Sequence, residues 1–341
     1  MSITVGFDVG GAHLKVARLD DRCPIAVRQI ACPLWQGLDT LDAALAEARD
    51  LIAGADHYAV TMTGELVEIF PSREEGALEL IQRLAASLGP STQFYMGLKG
   101  FASAPQAARD PLAVASANFL ATASSIAALR KDALLIDMGS TTTDIIPCDR
   151  PQGVSDAERL QTGELVYTGM TRTPVASVTT RAPLLGSWQS LARDTFATMS
   201  DVRRILGELP DGVDQHATSD GRGKSIGESL VRFARGFGRD GEERHLAGWQ
   251  AAAAYVRECQ LRSLYDGAIQ VISRPGLDVS GGVVAAGIGA PVAEAIARRL
   301  GLPSITYGGL IAAPVDLRLW VTRCAPAVAV ALSSLEGSSR G

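Results

Sequence analysis

The amino-acid sequence predicts an α/β protein in which two domains share a cleft. Residues 5–17 and 134–146 repeat one pattern: an apolar strand that ends in aspartate, a glycine-containing turn, and a second apolar strand. Strands and amphipathic helices alternate after each copy, as expected of an α/β fold. The chain has 341 residues and is 47% hydrophobic, which is enough for one large or two medium domains. We therefore expect each copy to open one domain.

Residues 1–130 are predicted to form the first domain. Three strands separated by short turns indicate an antiparallel meander, after which helical and strand patterns alternate. Asp110 and Pro111 are a typical helix start, with aspartate as the cap and proline in the first turn. The predicted strands are 3–9, 14–19, 26–31, 58–62 and 93–97, and the predicted helices are 38–53, 74–88 and 111–129.

Residues 131–325 are predicted to form the second domain, in which the order of the first repeats in part. Residues 200–224 contain few apolar side chains and predict a loop with a short helix. The other predicted elements are strands and turns over 163–187, mainly helix over 232–272, a strand and glycine-rich turn over 278–289, a helix over 290–300 and a strand over 304–307. The terminal segment, 326–341, is predicted as the end of a helix over 325–335 and a frayed tail over 337–341.

Composition and charge exclude several classes of function. The net charge is −5, from 32 basic and 37 acidic residues, and no basic stripe favours nucleic acid or an anionic membrane as a partner. The start of the chain lacks the basic segment and apolar core of a secretory signal, and no apolar stretch is long enough to span a membrane. We therefore expect a cytoplasmic protein, and formation of a homo-oligomer is compatible with this composition.

The two glycine turns carry the predicted chemistry. Gly10 and Gly11 follow Asp8 in the first turn. Backbone N–H groups of such turns form an anion-binding concavity that small residues let a phosphate approach, although a tight hairpin needing glycine is the alternative. The second turn consists of Gly139, Ser140, Thr141, Thr142 and Thr143. Its hydroxyl groups are suited to phosphate oxygens and metal-bound water, and the strand-end carboxylates Asp8 and Asp137 are suited to holding Mg²⁺.

A third glycine-rich segment precedes a predicted helix, whose N-terminus would carry positive potential. Gly281, Gly282 and Gly287 of this segment are expected to contact phosphate. The segment is not a dinucleotide fingerprint, because Val292 stands where the third glycine should be. Residues 221–225 are not a P-loop, because Thr218 occupies the position of its first glycine and no strand precedes it.

These three elements, in this order and spacing, resemble the sugar kinase/Hsp70/actin superfamily. The resemblance covers residues 1–325. It implies two RNase H-like (actin-like ATPase) domains with an interdomain cleft, in which the two aspartate–glycine turns bind phosphates and the late glycine segment binds a nucleotide.

Several segments resemble a narrower group within that superfamily. Residues 58–66 and 162–169 are similar to the hydantoinase/oxoprolinase branch, and residues 32–37, 115–123 and 196–202 are similar to its tetrahydromethanopterin-linked one-carbon family, the methanofuran-biosynthesis synthases. This resemblance implies a transferase that joins an aminomethylfuran diphosphate to glutamyl-tyramine, with release of diphosphate. The alanine- and arginine-rich composition favours a bacterial relative that serves the analogous methylofuran.

Five side chains are candidates for direct roles. Lys15 follows the first turn as a phosphate contact or a solvated lysine, and His13 in the turn is a phosphate donor, a general base or an inert turn residue. Glu65 is a candidate general base, the alternative being a carboxylate at a helix start. Glu164, in a similar Thr-Gly-Glu setting, is a candidate substrate contact, and Arg172 is a candidate anion clamp.

The identity of the ligand stays open at this stage. Ala12 and His13 stand where nucleotide-hydrolysing members of the superfamily carry small hydroxyl residues, which argues against ATP and is compatible with an organic diphosphate. The partners expected are a phosphorylated small molecule and a phenolic amine. An ATP-dependent kinase, a hydantoinase-like hydrolase and a non-catalytic binding subunit are the alternatives.

The polar loop 200–224 has three interpretations: a mobile cover over the cleft, a plain surface loop, or a zinc site. Asp214, His216 and Asp220 would be the zinc ligands, but their spacing fits no common zinc pattern.

Overall fold

The structure, a computed structural model, describes residues 2–338, and its first half is built around a six-stranded sheet. The strands are β1 (Ile3–Val9), β2 (His13–Asp20), β3 (Cys23–Ala31), β4 (His57–Met62), β5 (Thr92–Tyr95) and β6 (Phe101–Ser103). They lie in the order β3-β2-β1-β4-β5-β6. Strands β1 to β3 form the predicted antiparallel meander, and β4 and β5 run parallel to β1.

A second sheet of five strands repeats this arrangement. Its strands are β7 (Leu134–Met138), β8 (Thr143–Pro147), β9 (Leu165–Val166), β12 (Val283–Ala286) and β13 (Ser304–Thr306), while β10 (Arg181–Leu184) and β11 (Ser187–Ser190) form a separate hairpin. The order and directions of β9-β8-β7-β12-β13 match those of β3-β2-β1-β4-β5. The predicted α/β fold with two RNase H-like, actin-like sheets is therefore confirmed. Asp8 and Asp137 occupy equivalent places, one residue before the end of the first strand of each sheet.

Helices cover both sheets. In the first half they are α1 (Asp39–Glu47), α2 (Arg49–Ile52), α3 (Arg73–Leu88), α4 (Ala104–Ala107) and α5 (Asn118–Ala127). In the second half they are α6 (Asp156–Thr162), α7 (Val175–Val178), α8 (Met199–Ile205), α9 (Ile226–Arg235), α10 (Leu246–Ile272), α11 (Ala290–Leu300), α12 (Tyr307–Leu310), α13 (Arg318–Arg323) and α14 (Ala325–Ser338). Among residues 2–338, no helix combines the length and the apolar character needed to cross a bilayer.

The predicted helix over 111–129 is wrong in its first part. Pro111–Ala113 form a single 3-10 turn, and α5 begins only at Asn118. Between them Ser116 has a φ of 51°, a left-handed conformation that interrupts a right-handed helix. The helix predicted over 38–53 also divides, at Ala48, into α1 and α2.

Two helices lie where the two halves of the chain meet. Helix α5 packs on β7 and β8 of the second sheet as well as on β4 of the first, and α14 packs on α5 and on β1, β2 and β4. One hydrophobic cluster accordingly unites Ala17 of the first sheet, Leu135 of the second and Val328 of α14. The helix predicted over 325–335 extends to Ser338, so residues 337 and 338 are not a frayed tail, and the rest of that predicted tail, 339–341, lies outside the described residues.

Candidate functional site

The two glycine turns meet at one cavity. The cavity has a volume of about 260 Å³ and lies between the carboxyl ends of β1 and β7. It brings together most of the site residues predicted from sequence, namely Asp8, Gly10, Gly11, His13, Lys15, Asp137, Gly139, Ser140, Thr141, Thr142 and Arg172. Ligands of α/β proteins typically bind beyond the carboxyl ends of the strands, and the cavity has this position.

Lys15 lies among the acidic groups of the cavity. Its Nζ donates to Asp8 Oδ2 at 2.9 Å, while Asn118 Nδ2 lies 3.4 Å from Asp8 Oδ1. Burial opposes the charged form of Lys15, but the carboxylates of Asp8 and Asp137 outweigh it and raise the pKa of Lys15. Burial also raises the pKa of Asp137 to about 7, against the opposing effect of Lys15 and with the support of Asp144 and Asp8. Asp8 and Asp137 therefore present two carboxylates to a single lysine, while Asp144 and Asp156 pair with Arg159.

This excess of carboxylate fits a magnesium ion that is bound together with a phosphorylated ligand. Mg²⁺ is commonly held by one or two carboxylates, with phosphate oxygens and water completing its coordination. In the part of the chain that the structure describes, no group of three or more His, Cys, Asp or Glu side chains is arranged to hold a metal. Asp8 and Asp137 would thus hold the ion only with oxygens of the ligand and water.

The second turn is braced by the segment that follows β9. Gly139 N–H donates to Thr142 O at 2.9 Å, and Arg172 N–H donates to Ser140 O at 2.9 Å. Gly169 fits closely against the turn, since a Cβ there would lie 2.4 Å from Ser140 C. Thr143 differs from its neighbours: it is fully buried and its hydroxyl donates to Thr168 O at 2.7 Å. Thr143 therefore stabilises the turn. It does not line the cavity, which contradicts its predicted contact with phosphate.

None of the three glycines predicted in the third segment lines the cavity, although Gly287 lies beside Asp137, which does. Gly287 has a φ of 78°, and a Cβ there would lie 2.3 Å from Asp137 Oδ1. Gly281 and Gly282 instead precede β12 and pack against Asp132 and Pro303. Since β12 has four residues, its two ends are about 13 Å apart. The predicted phosphate contacts of Gly281 and Gly282 are therefore wrong.

Glu164 is a structural residue. Its side chain is fully buried, and its oxygens accept hydrogen bonds from Gln152 N and Gly153 N, each at 2.8 Å. Arg274 Nη1 donates to the same carboxylate at 2.6 Å. The structure thus leaves Glu164 no access to the cavity, which contradicts the predicted substrate contact. The similar sequence settings of Glu65 and Glu164 do not reveal this difference.

Glu65 lies behind the cavity wall. Its side chain is fully buried, and Oε1 accepts a hydrogen bond from Ser116 Oγ at 2.6 Å and one from Arg73 Nη2 at 3.3 Å. Burial raises the pKa of Glu65, against the effects of Ser116 and Arg73. Ser116 lines the cavity and Glu65 does not.

A loop from the second half of the chain reaches the first turn. The ring of His216 lies 4.6 Å from that of His13 and 5.2 Å from that of Trp35, measured between centroids. Gln215 Nε2 donates to the carbonyl oxygen of Gln29 at 3.1 Å, which ties the loop to β3 as well. The segment 206–225 therefore forms a bridge over one side of the cleft, and we call it the bridging loop.

The bridging loop is not arranged as a zinc site. Asp214 pairs with Arg204 and Lys224, and Asp220 pairs with Arg232. Both carboxylates are thus engaged in ion pairs, and over residues 2–338 no three His, Cys, Asp or Glu side chains are placed to hold a metal.

His13 is an uncharged residue of the cavity wall. Burial, followed by the charges of His216, Lys15 and Arg172, lowers the pKa of His13 to about 2. A group with such a pKa is a weak proton acceptor, which argues against the predicted role as general base. The role as a phosphate hydrogen-bond donor stays a prediction.

Several residues of the cavity escaped the sequence analysis. They are Ser116, Asn118, Asp144, Asp156, Arg159 and Arg323. Arg159 pairs with both Asp144 and Asp156, and its guanidinium lies 3.9 Å from the centre of the Phe119 ring. Ser155 and Glu158 form a capping box that signals the start of α6. That signal does not show where the Arg159 side chain points, because Asp144 and Phe119 belong to two other elements, β8 and α5.

Comparison with known proteins agrees with this architecture. The two related sheets and the cavity between their strand ends define an α/β protein of the actin-like ATPase type. The model of the hydantoinase/oxoprolinase family matches residues 56–309, and the chain belongs to this family.

Two curated relatives share one name, (4-{4-[2-(gamma-L-glutamylamino)ethyl]phenoxymethyl}furan-2-yl)methanamine synthase. The protein from Methanocaldococcus jannaschii is 30% identical over 235 residues, which cover 68% of this chain and 70% of the relative. The protein from Methanococcus vannielii is 32% identical over 108 residues, which cover 31% of this chain and about half of the relative, 49%.

One solved structure supports the fold at low sequence identity, and a second is similar over nearly the whole chain. A nucleotide-free acetone carboxylase is 12% identical with a TM-score of 0.53, over 85% of this chain and 66% of that one. Component A of (R)-2-hydroxyglutaryl-CoA dehydratase from Acidaminococcus fermentans is also 12% identical, with a TM-score of 0.49 over 99% of this chain and 100% of that one.

Proposed function

We propose that this protein is a transferase that joins an aminomethylfuran diphosphate to a phenolic amine of the glutamyl-tyramine type and releases diphosphate. The observation that carries the proposal is the convergence of both glycine turns and Lys15 on one cavity. The name of the relatives supports it, because their product contains a phenoxymethyl group on a furan ring. That group is an ether between a phenol oxygen and a furylmethyl carbon, the bond that the transfer would form.

The reaction balances without a redox step. The bond between the furylmethyl carbon and the diphosphate oxygen breaks, and the diphosphate departs with the electron pair. The phenol oxygen forms a new bond to the same carbon, and the phenolic proton passes to a base. Because the furan ring spreads positive charge from the methylene carbon, stabilisation of the departing diphosphate is the main task of the protein.

The cavity offers suitable groups for this task. Backbone N–H groups of the two turns, the hydroxyl groups of Ser140, Thr141 and Thr142, and the ammonium group of Lys15 would bind the diphosphate oxygens. Arg172 is a further cation of the wall, and its guanidinium is held 4.3 Å from the centre of the Trp35 ring. When bound between Asp8, Asp137 and the diphosphate, Mg²⁺ would supply additional neutralisation of the leaving group.

The bridging loop would protect the reactive carbon from water. Water that reached a furylmethyl cation would convert it to an alcohol, so the site must exclude solvent. His216 closes the loop onto His13 and Trp35 on one side of the cleft. The loop thus has the position that a solvent barrier requires.

An ATP-dependent kinase or cyclic-amide hydrolase is the second candidate function. It is favoured by a second cavity, of about 520 Å³, which is lined by Met170 and Leu261 and by Val292 near the start of α11. Met170 N–H donates to Gly139 O at 2.9 Å, so this cavity adjoins the second turn. Calorimetric binding of ATP accompanied by ATPase activity would favour this candidate. A non-catalytic binding subunit would instead keep its function after Asp8→Ala and Asp137→Ala.

The proposal is tested by incubating the protein with an aminomethylfuran diphosphate, glutamyl-tyramine and Mg²⁺. We expect diphosphate and the ether product to appear in equal amounts, measured by a coupled phosphate assay and by mass spectrometry. Absence of both products from a protein that is folded by circular dichroism would refute the transferase. Formation of products only when ATP is supplied would favour the second candidate.

A further inference from the structure

Ser116 has a strained backbone at the edge of the cavity. Its φ of 51° lies in the left-handed region, which residues with a Cβ seldom occupy outside tight turns. Ser116 follows the 3-10 turn at Pro111–Ala113 and comes just before α5, and it lines the cavity although it is only 1% exposed. Strained residues that persist in a fold often lie at functional sites, where the surrounding structure imposes their conformation.

This conformation directs the Ser116 hydroxyl to a buried carboxylate. Ser116 Oγ donates to Glu65 Oε1 at 2.6 Å, the short distance typical of a hydroxyl on a charged acceptor. Arg73 Nη2 lies 3.3 Å from both Ser116 Oγ and Glu65 Oε1, so it holds the pair from the other side. The second oxygen, Glu65 Oε2, is buried and has no hydrogen-bond partner. A buried acceptor without a partner is unusual and calls for an explanation.

The Ser116 hydroxyl connects the cavity with the Glu65 carboxylate, a proton acceptor that does not itself line the cavity. Ser116 lines the cavity, whereas neither Glu65 nor Arg73 does. The carboxylate is therefore shielded from the diphosphate site and is linked to it through one hydroxyl group. A carboxylate placed this way does not add to the negative charge facing the leaving group.

We infer that Ser116 and Glu65 form a proton relay that removes the phenolic proton of the acceptor during transfer. The inference rests on the proposed function. As the phenol oxygen bonds to the furylmethyl carbon and the diphosphate departs with its electron pair, the phenolic proton passes to Ser116 Oγ. The original hydroxyl proton of Ser116 passes at the same time to Glu65. Ser116 ends the step neutral, Glu65 ends it as a carboxylic acid, and the proton returns to solvent by the same route after product release.

The electrostatic setting of Glu65 suits this role. Burial raises its pKa, and the charge of Asp156 on α6 acts in the same direction. The Ser116 hydroxyl and Arg73 on α3 act in the opposite direction. A carboxylate with a raised pKa is a better proton acceptor near neutral pH than an exposed one. We therefore expect the rate to rise with pH through the raised pKa of Glu65, because only its ionised form accepts the proton.

Ser116→Gly separates catalysis from folding. Glycine adopts a φ of 51° without strain, so the variant removes the hydroxyl and relieves the backbone together. Ala312→Gly is the matched control, because Ala312 has a φ of 52° and does not line the cavity. A hydroxyl that merely anchors the loop would leave the rate of folded Ser116→Gly close to that of Ala312→Gly. For the relay we expect kcat to fall about 100-fold or more in Ser116→Gly alone.

Glu65→Gln tests the other end of the relay through the pH profile. At saturating Mg²⁺, which would keep Asp137 ionised, we expect the part of the acid limb that reports Glu65 to disappear in Glu65→Gln, since glutamine does not titrate. A change of rate without a change in the shape of the profile would mark Glu65 as structural and overturn the relay.

A binding measurement tests the inference even if the turnover assay fails. Tyramine and its methyl ether, 4-methoxyphenethylamine, are titrated into the intact protein with Mg²⁺ and inorganic diphosphate. We expect wild type and Ala312→Gly to bind tyramine at least about tenfold more tightly, because only the phenol donates to Ser116 Oγ. Ser116→Gly should lose this preference.

The outcomes distinguish the relay from the proposed function. Turnover that survives Ser116→Gly overturns the relay and leaves the transferase standing. No turnover in wild type, together with a phenol preference that depends on Ser116, refutes the transferase and supports the hydroxyl–carboxylate pair as a phenol site. No turnover and no phenol preference refute both.

Discussion

Lys15 connects the charges contributed by the two halves of the chain. It lies on β2 of the first sheet, where its Nζ is 2.9 Å from Asp8 Oδ2, and its pKa responds also to Asp137 of the second sheet. A buried ion pair of this kind is weak evidence for stability, because removal of the charges from water offsets most of their attraction. Its position is better explained by the proposed diphosphate ligand, whose negative charge the ammonium group of Lys15 would offset.

At the scale of single residues, His13 makes the free energy of unfolding depend on pH. The pKa of His13 is lowered to about 2 in the folded protein by burial and by the neighbouring His216, Lys15 and Arg172, whereas an unfolded histidine titrates near 6.5. Below pH 6.5 the unfolded chain therefore takes up a proton that the folded one does not. The stability contributed by neutral His13 is present above pH 6.5 and is lost as the pH falls towards 2.

We predict that His13→Asn weakens the acid sensitivity of the fold. Between pH 4 and 6, the slope of unfolding free energy against pH should decrease by about 1.4 kcal/mol per pH unit, the effect of one proton. Urea denaturation at several pH values measures it, with His245→Asn as a control because His245 is exposed. An unchanged slope in His13→Asn would show that His13 is protonated in the folded protein.

At the scale of elements, the turn between β12 and α11 fixes the carboxyl end of β7. Gly287 N–H donates to the carbonyl oxygen of Thr322 and Gly289 N–H donates to that of Met138, each at 2.9 Å. A side chain at Gly287 would also collide with Asp137. The third glycine segment thus acts by allowing close packing against Asp137.

Gly287→Ala tests this packing. The left-handed φ of 78° adds about 1 kcal/mol of strain for alanine, and the collision adds about 1–3 kcal/mol more. Gly207→Ala is the matched control, because Gly207 has a φ of 70° and open space around its Cβ position. We expect Gly287→Ala to lower the unfolding free energy clearly more than Gly207→Ala. Equal losses would mean that β7 has room to shift.

The bridging loop should be separable from the rest of the fold. We predict that His216→Ala releases the loop from His13 and Trp35, so that trypsin cleaves at Arg222 and Lys224 faster. If the protein is the proposed transferase, the variant should also release more diphosphate than ether product, because water reaches the reactive carbon. His245→Ala is the control, since it lies outside the loop. A cleavage rate equal to that of wild type would show that His216 does not hold the loop closed.

Local sequence patterns predict some of these elements correctly and fail at residues whose partners are distant in sequence. Strand β1 and the antiparallel meander are predictable because apolar runs and short turns are local signals. The two strand-end aspartates are predictable because one pattern occurs twice. Glu164 was misassigned because its partner Arg274 lies 110 residues away in sequence. The role of Ser116 is not predictable because no local sequence pattern indicates a serine with left-handed φ. Packing around α5 and the hydrogen bond to Glu65 impose that conformation.

At the scale of the whole molecule, the last helix completes the first half of the chain. Gly6 of β1 lies so close to α14 that a Cβ there would be 2.0 Å from Ala327 O. Helix α14 also packs on α5, which contacts both sheets. We therefore expect β1 and α14, which are far apart in sequence, to unfold together.

Gly6→Ala should separate α14 from the first sheet. Overpacking at a buried contact lowers stability by about 1–3 kcal/mol, and we expect a single cooperative unfolding transition at lower denaturant concentration. Chemical denaturation followed by circular dichroism measures the effect. A variant as stable as wild type would contradict the close contact between β1 and α14.

The central claim is that turns from the two halves bind the same diphosphate group, and calorimetric titration with inorganic diphosphate and Mg²⁺ tests it most directly. Gly11→Ala and Gly139→Ala each narrow one turn, and the added Cβ meets only the Val67 side chain in the first and nothing closer than 3.6 Å in the second. We predict that wild type binds diphosphate and that each variant, although folded, binds it at least about tenfold more weakly. Binding that is weakened by one substitution and untouched by the other would contradict the claim.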